Sequence, residues 1–226
     1  IYKVIMHNSE TQLSEINREI NNKIKELNLI NYSPRIIAVS KTFPIDKIMP
    51  LINFGHLDYG ENRVQEAVEK WSKIKSENDK IKLHLIGKLQ TNKAKLAVNL
   101  FDFIHSLDGE KLANKISNEQ QKINKSVKLF IQVNLGNEDQ KSGIEPKNVE
   151  TFFKYCKTSL NLNIIGTMCI PPLGKNPEGY FKELNEINKT LNLKELSMGM
   201  SDDYLVAIKY NSTYVRIGSK IFGKRN

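Results

Sequence analysis

The sequence predicts an α/β fold: a single (β/α)8 TIM barrel spanning residues 1–226, preceded by one extra N-terminal helix. Two observations predict it. Short apolar runs of strand length alternate from end to end with stretches whose apolar residues recur at helical spacing, the pattern of parallel strands joined by helical crossovers. Eight such units are present, and eight close naturally into a barrel of about 200–250 residues. A doubly wound open sheet is the structural alternative. It usually shows a glycine-rich fingerprint after its first strand, and none follows here.

Ser9 is a candidate N-cap, with Gln12 three residues on as its capping-box partner. Leu13, Ile16, Ile20, Ile24 and Leu27 then repeat at helical spacing. Arg35 to Ser40 reads as the first strand, and Ile45 to Asn53 as a helix with Pro44 at its start. Leu57 to Gly60 is the second strand, followed by a helix marked by Val64, Ala67, Val68, Trp71 and Ile74. Lys82 to Ile86 is the third strand, with a helix from Thr91 to Asn99. Asp102 to His105 is the fourth, with a helix from Gly109 to Asn124. Val127 to Asn134 is the fifth and almost wholly apolar, with a helix from Pro146 to Leu160. Asn163 to Met168 is the sixth, with a helix from Pro177 to Leu191. Glu195 to Met198 is the seventh, with a helix from Asp202 to Lys209. Thr213 to Ile217 is the eighth.

Composition narrows the function classes. The formal net charge is +9, but the lysines are scattered and outnumber arginines 29 to 5. A nucleic-acid surface clusters its charge, favours arginine and interleaves aromatics, so no nucleic-acid partner is expected. No stretch approaches the roughly 20 apolar residues that span a bilayer, so no membrane association is expected. The opening residues Ile1 to Met6 read as too short and poorly arranged for a signal peptide. Cys156 and Cys169 are not a CxxC pair and read as reduced thiols of a cytoplasmic protein. His56, His84 and His105 lack metal-ligand spacing and read as core or surface residues, and His7 as part of the N-terminal segment.

In a barrel of this kind, chemistry sits where the strands end. Lys41 follows strand one, Asn62 strand two, Met168 strand six, Ser201 strand seven, and Gly218 and Ser219 strand eight, so distant segments converge on one rim. Lys41 offers an amine that can form a Schiff base. An ordinary lysine has a pKa near 10.4, which leaves about one in 2,500 in the nucleophilic form at pH 7. A desolvated rim with a nearby cation such as Arg216 would raise that fraction. A phosphate needs amides and hydroxyls with no carboxylate intruding; Ser201, at the opening of a helix, and Gly218 with Ser219 offer the amides and hydroxyls. Amine, cation and phosphate cradle together suggest pyridoxal 5′-phosphate (PLP). Each residue also has a plainer reading: Lys41 as a surface lysine, Ser201 as an N-cap, Gly218 as a turn, Arg216 as an ion pair with Glu61 or Glu195. Asn62 reads as a contact to a ring hydroxyl or as an N-cap, and Met168 as ring packing or core.

These segments also carry a resemblance. AVSKT around Lys41, GEN-VQE from Gly60 to Glu66, HLIGKLQTNK from His84 to Lys93, HSLD from His105, KSGI from Lys141, LSMGMSDD from Leu196 and VRIGSKIFG from Val215 cover nearly the whole chain. They are similar to the pyridoxal phosphate homeostasis proteins, the YggS/PROSC group. The resemblance implies a barrel of the alanine racemase N-terminal-domain type, with the racemase C-terminal domain absent. It implies PLP held on Lys41 as an internal aldimine, Arg216 facing the pyridine nitrogen, Gly199 in the phosphate loop, and Lys141 near the site, helping in cofactor transfer. Phe43 and Cys169 depart from the commonest family wording without touching Lys41, Ser201, Arg216 or Ser219.

Two function classes follow. The resemblance implies a non-catalytic PLP carrier and regulator that releases its cofactor to apo-enzymes, with a monomer as the default state. The alternative is a PLP-dependent enzyme such as an amino-acid racemase or Schiff-base lyase. A racemase needs a second acid/base opposite the lysine, and no tyrosine or histidine in this sequence obviously supplies it.

Overall fold

The computed structural model describes residues 8–136 and 142–223. Helix α1 (Asn8–Glu26) precedes eight strands, β1 (Arg35–Val39), β2 (Asp58–Glu61), β3 (Lys82–Leu85), β4 (Phe103–Leu107), β5 (Lys128–Gln132), β6 (Ile164–Met168), β7 (Glu195–Met200) and β8 (Tyr214–Ile217). All neighbours pair in parallel, and β8 pairs with β1 to close the barrel. The crossovers carry α2 (Ile45–Asn53), α3 (Val64–Glu77), α4 (Ala94–Leu100), α5 (Glu110–Ile123), α6 (Val149–Lys154), α7 (Glu178–Thr190) and α8 (Tyr204–Lys209).

Strand alternation divides the interior into two cores, because successive side chains point to opposite faces. Ile36, Ala38, Leu83, Leu85, Ile104, Leu129, Ile131, Val215 and Ile217 point outward into a large core under the helices. Ile37, Val39, Phe103, Phe130, Met168 and Tyr214 point inward and fill the barrel. Gly60 keeps that inner space open: a Cβ there would lie 2.8 Å from Ile37 Cγ2 and 3.3 Å from Ile86 Cδ1.

The structure adds a helix that the sequence reading lacks, α9 (Ser219–Phe222), a single turn after β8. It is too short to cover the β8–β1 seam. Helix α1 does so instead, packing against α2, α8 and α9 with Leu13, Ile16 and Ile20 buried. Glu19 of α1 bonds the Tyr204 hydroxyl and pairs with Lys220. Ser9 lies inside α1 and is buried, so it is not the cap that its spacing to Gln12 suggested. The single helix expected from Pro146 to Leu160 is a 3-10 turn, then α6, then one π turn over Tyr155–Ser159. The wide turn buries Cys156 and lets the Asn114 amide of α5 reach the Tyr155 hydroxyl at 2.8 Å.

The abundance of asparagine acquires a structural role. Asn28, Asn124, Asn161, Asn192 and Asn211 all follow helical segments with φ between 50° and 64°. Asparagine is the best substitute for glycine in the left-handed conformation that ends a helix.

Filling the space that Gly60 leaves tests the inner packing. Gly60→Val is expected to lower stability by about 2 kcal/mol through overpacking against Ile37, read as a reduced midpoint in urea.

Candidate functional site

The inward faces of β1, β2, β3 and β8 lead to one cavity of about 460 Å3 at the C-terminal rim, lined by Lys41, Asn62, Arg216, Ser201, Gly218 and Ser219 among others. That volume is in the usual range of about 300–1,000 Å3 for small-ligand sites. The alternation that points Ile37 and Val39 into the barrel points Lys41 the same way, two residues further on. Asn62 likewise continues the face of Asp58 and Gly60, and Ile86 that of His84.

Lys41 is half-buried, and the backbone on both sides of it is tied down. Before it, the Ser40 carbonyl accepts from Lys70 Nζ at 3.0 Å. After it, the Thr42 amide donates to Glu66 Oε1 at 2.7 Å. Thr42 has φ 66°, a conformation that costs a β-branched residue about 1–3 kcal/mol and needs such an anchor. Burial would raise the Glu66 pKa, but the Thr42 amide and Lys70 outweigh it and hold the carboxyl below its ordinary value. Behind the strand, Glu61 is fully buried. Its Oε1 accepts from Ser40 Oγ at 2.7 Å, Trp71 Nε1 at 2.9 Å and Lys70 Nζ at 3.0 Å. This network fixes the tip of β1 from outside the barrel, so the Lys41 side chain starts from a set position.

Arg216 is almost completely buried, yet no ion pair reaches it among the described residues. Nη1 donates to Ser197 Oγ at 2.7 Å and Nη2 to the Cys169 carbonyl at 2.9 Å, so Cys169 does touch Arg216, contrary to the sequence expectation. Burial pulls its pKa below the ordinary value, with Cys169 and Asp203 acting the other way, and a guanidinium remains charged throughout. The ion pair with Glu61 or Glu195 is therefore not formed. Glu61 belongs to the outward network with Trp71.

Ser201 does not open a helix. It sits in a three-residue turn before α8, and Asp203 takes the position preceding that helix. Asp203 Oδ1 accepts the Met200 amide at 2.5 Å and closes the turn that carries Ser201. Gly199 permits this path: its φ is 91°, and a Cβ would lie 2.6 Å from Ala207 Cβ. One carboxylate does reach the cavity wall. Asp202 lines it beside Ser201, but is exposed and so screened by water.

Six of the predicted site residues therefore share one cavity wall. Met168 does not reach it and lies wholly buried in the inner core. Asn62 is not an N-cap, since Arg63 precedes α3. Lys141 and His7 lie outside the described residues. Sequence reasoning missed the rest of the wall, which includes Ile86, Ile170, Met200 and Asp202 as well as Phe43, a residue it had set apart from the site. Strand alternation from His84 could have found Ile86; Met200 ends β7 beyond a register shift that breaks the alternation, and Ile170 and Asp202 lie in loops with no periodic signal.

Residues 17–226 match the family described as "Alanine racemase, N-terminal domain". The pyridoxal phosphate homeostasis protein of Aquifex aeolicus is 40% identical over 200 residues, 84% of this chain and 87% of its own length. That of Haemophilus influenzae is 38% identical over 230 residues, 97% of each chain. The chain belongs to the pyridoxal phosphate homeostasis family. Among solved structures, PipY of Synechococcus elongatus PCC7942 with PLP bound is 33% identical, with a TM-score of 0.79 over 90% of this chain and all (100%) of that one. The family's racemase-type barrel is the architecture described above.

Two outcomes test the site's scaffold. Lys70→Met strands the buried Glu61 carboxylate and is expected to cost about 3 kcal/mol, while Glu61→Gln with Lys70→Met recovers more than half, both read in urea melts. His56, His84 and His105 all have pKa values below the ordinary imidazole value, chiefly because burial disfavours the charged ring. The unfolded chain thus binds more protons than the folded one below about pH 6.5, and stability is lost as pH falls from there. Urea melts at about pH 7.5 and about pH 5.5 are expected to differ by about 1 kcal/mol for each histidine that stays neutral, the acid sample being weaker.

Proposed function

We propose that this protein holds PLP in the rim cavity, covalently on Lys41, and acts in intracellular PLP homeostasis as a carrier without catalytic turnover. The observation that carries the reading is the meeting of an amine, a buried cation and two hydroxyls on one wall: Lys41, Arg216, Ser201 and Ser219. PLP supplies an aldehyde that a primary amine captures as a Schiff base with loss of water. Lys41 is the amine so placed, and its backbone is clamped by Lys70 and Glu66. Ser201, Ser219 and the close-approaching backbone at Gly218 receive the phosphate. Asn62 lies on the wall where the ring hydroxyl would sit.

Arg216 is assigned to the pyridine nitrogen. A guanidinium has no proton acceptor to offer and keeps a facing nitrogen unprotonated, which limits the cofactor as an electron sink. That favours storage over carbanion chemistry. Ile170 and Met200, 40% and 39% exposed, form an apolar lip on the cavity, which suits loading and release from solution. The same reading makes apo-enzymes the recipients and a monomer the working state. Lys141, outside the described residues, is proposed only as an aid to that transfer.

The test is chemical. After incubation with PLP, the protein is expected to show a visible band that borohydride removes, with the label mapped by mass spectrometry to Lys41. Lys41→Ala should show neither band nor label. A label on another lysine, or racemase turnover in the purified protein that Lys41→Ala abolishes, contradicts the proposal.

A further inference from the structure

Behind Arg216, the interior of the barrel holds a row of polar residues that cofactor holding does not use. Arg216 Nη1 lies 2.7 Å from Ser197 Oγ. Ser197 Oγ lies 2.8 Å from His105 Nδ1. His105 Nε2 lies 3.0 Å from His84 Nδ1, and His84 Nε2 lies 2.9 Å from Asp58 Oδ1. Asp58 opens β2 at the N-terminal end of the barrel, whereas Arg216 lines the cavity at the C-terminal rim. The hydrogen bonds therefore cross the barrel from face to face.

The ends of the chain dictate its direction. A carboxylate only accepts, so His84 carries its proton on Nε2 toward Asp58. A neutral His84 then offers Nδ1 as an acceptor, and His105 must donate from its own Nε2. His105 Nδ1 is left as an acceptor, so the Ser197 hydroxyl donates to it. The Ser197 oxygen finally accepts from Arg216, which can only donate. Every link fits its neighbours if both imidazoles are neutral, and their surroundings demand that. Both rings are wholly buried, His84 stacked on Phe103 and His105 on Phe130, each at 4.2 Å between centroids. Burial lowers both pKa values, His105 further through His84 and Arg216. Around the acidic end, Arg35 Nη1 lies 3.9 Å from Asp58 Oδ1 and His56 Nε2 lies 2.9 Å from the Asp58 carbonyl oxygen.

We infer that Asp58 is a positioning residue for the cofactor cavity: through His84, His105 and Ser197 it orients the Arg216 guanidinium from the opposite face of the barrel. The inference rests on the reading that the cavity holds PLP. A buried chain of hydrogen bonds with a cation at one end and an anion at the other is polarised cooperatively, so its members act as a unit.

Long-range proton–nitrogen spectra of the 15N-labelled chain read each tautomer without any cofactor. His84 and His105 are expected to be neutral and protonated on Nε2 from about pH 6 to about pH 8. An Nδ1–H tautomer, or a charged ring at either position, would overturn the inference. PLP titration supplies the second arm. Asp58→Asn and Ser197→Ala are each expected to raise the dissociation constant about fivefold, as for loss of one buried hydrogen bond. The double variant should be no weaker than Ser197→Ala, because the link is already cut. Unchanged affinity in Asp58→Asn, or fully additive losses, would also overturn it. Failure of the wild-type chain to bind PLP overturns the inference together with the reading beneath it, and the tautomer spectra tell the two failures apart.

Discussion

The pairing of β8 with β1 is the contact on which the rest of the site depends. It sets Ile37 beside Arg216 and Ala38 beside Ile217, residues from opposite ends of the chain. With that register, the inward row of β1 runs Ile37, Val39, Lys41, and the inward row of β8 runs Tyr214, Arg216. A slip of one residue between the two strands would turn one of these rows outward and part Lys41 from Arg216. Closure therefore fixes the amine and the cation on one wall before any ligand is present. Helix α1 secures the same seam from outside, since α9 is too short to cover it.

Two buried polar networks surround that wall, and both are expensive to assemble. Outside the barrel, Glu61 gathers Ser40, Lys70 and Trp71 around one carboxylate oxygen, while Glu61 Oε2 has no hydrogen-bond partner among the described residues. Inside it, Arg216 is satisfied by Ser197 and a backbone carbonyl in place of a carboxylate. A buried guanidinium with neutral partners keeps its full charge directed at the cavity. A neighbouring carboxylate would neutralise it. The structure places its buried carboxylate behind the lysine strand and its buried cation in front of it, and the two do not meet.

Much of this was legible in the sequence. Apolar runs located all eight strands within a few residues, because burial on both faces makes most of them largely apolar; β2, Asp58–Glu61, is the exception. Lys41, Arg216, Ser201, Gly218 and Ser219 were legible as rim residues because a barrel's topology places every strand end on one face. What was not legible depends on partners distant in sequence. His105 meets Ser197 across 92 positions, and Tyr204 meets Glu19 across 185, so no local pattern announces either. Ser9 and Ser201 looked like caps because cap chemistry is short-range, yet helix ends were set by packing. Five of the asparagines end helical segments, a role that only their backbone angles reveal.

The measurement that bears most directly on the central claim is a crystal structure of this protein grown with PLP. Continuous density is expected from Lys41 Nζ to the cofactor, with the phosphate against Ser201, Gly218 and Ser219 and the ring nitrogen toward Arg216. A cofactor bound with its phosphate at Arg216, or joined to any lysine other than Lys41, would contradict the account.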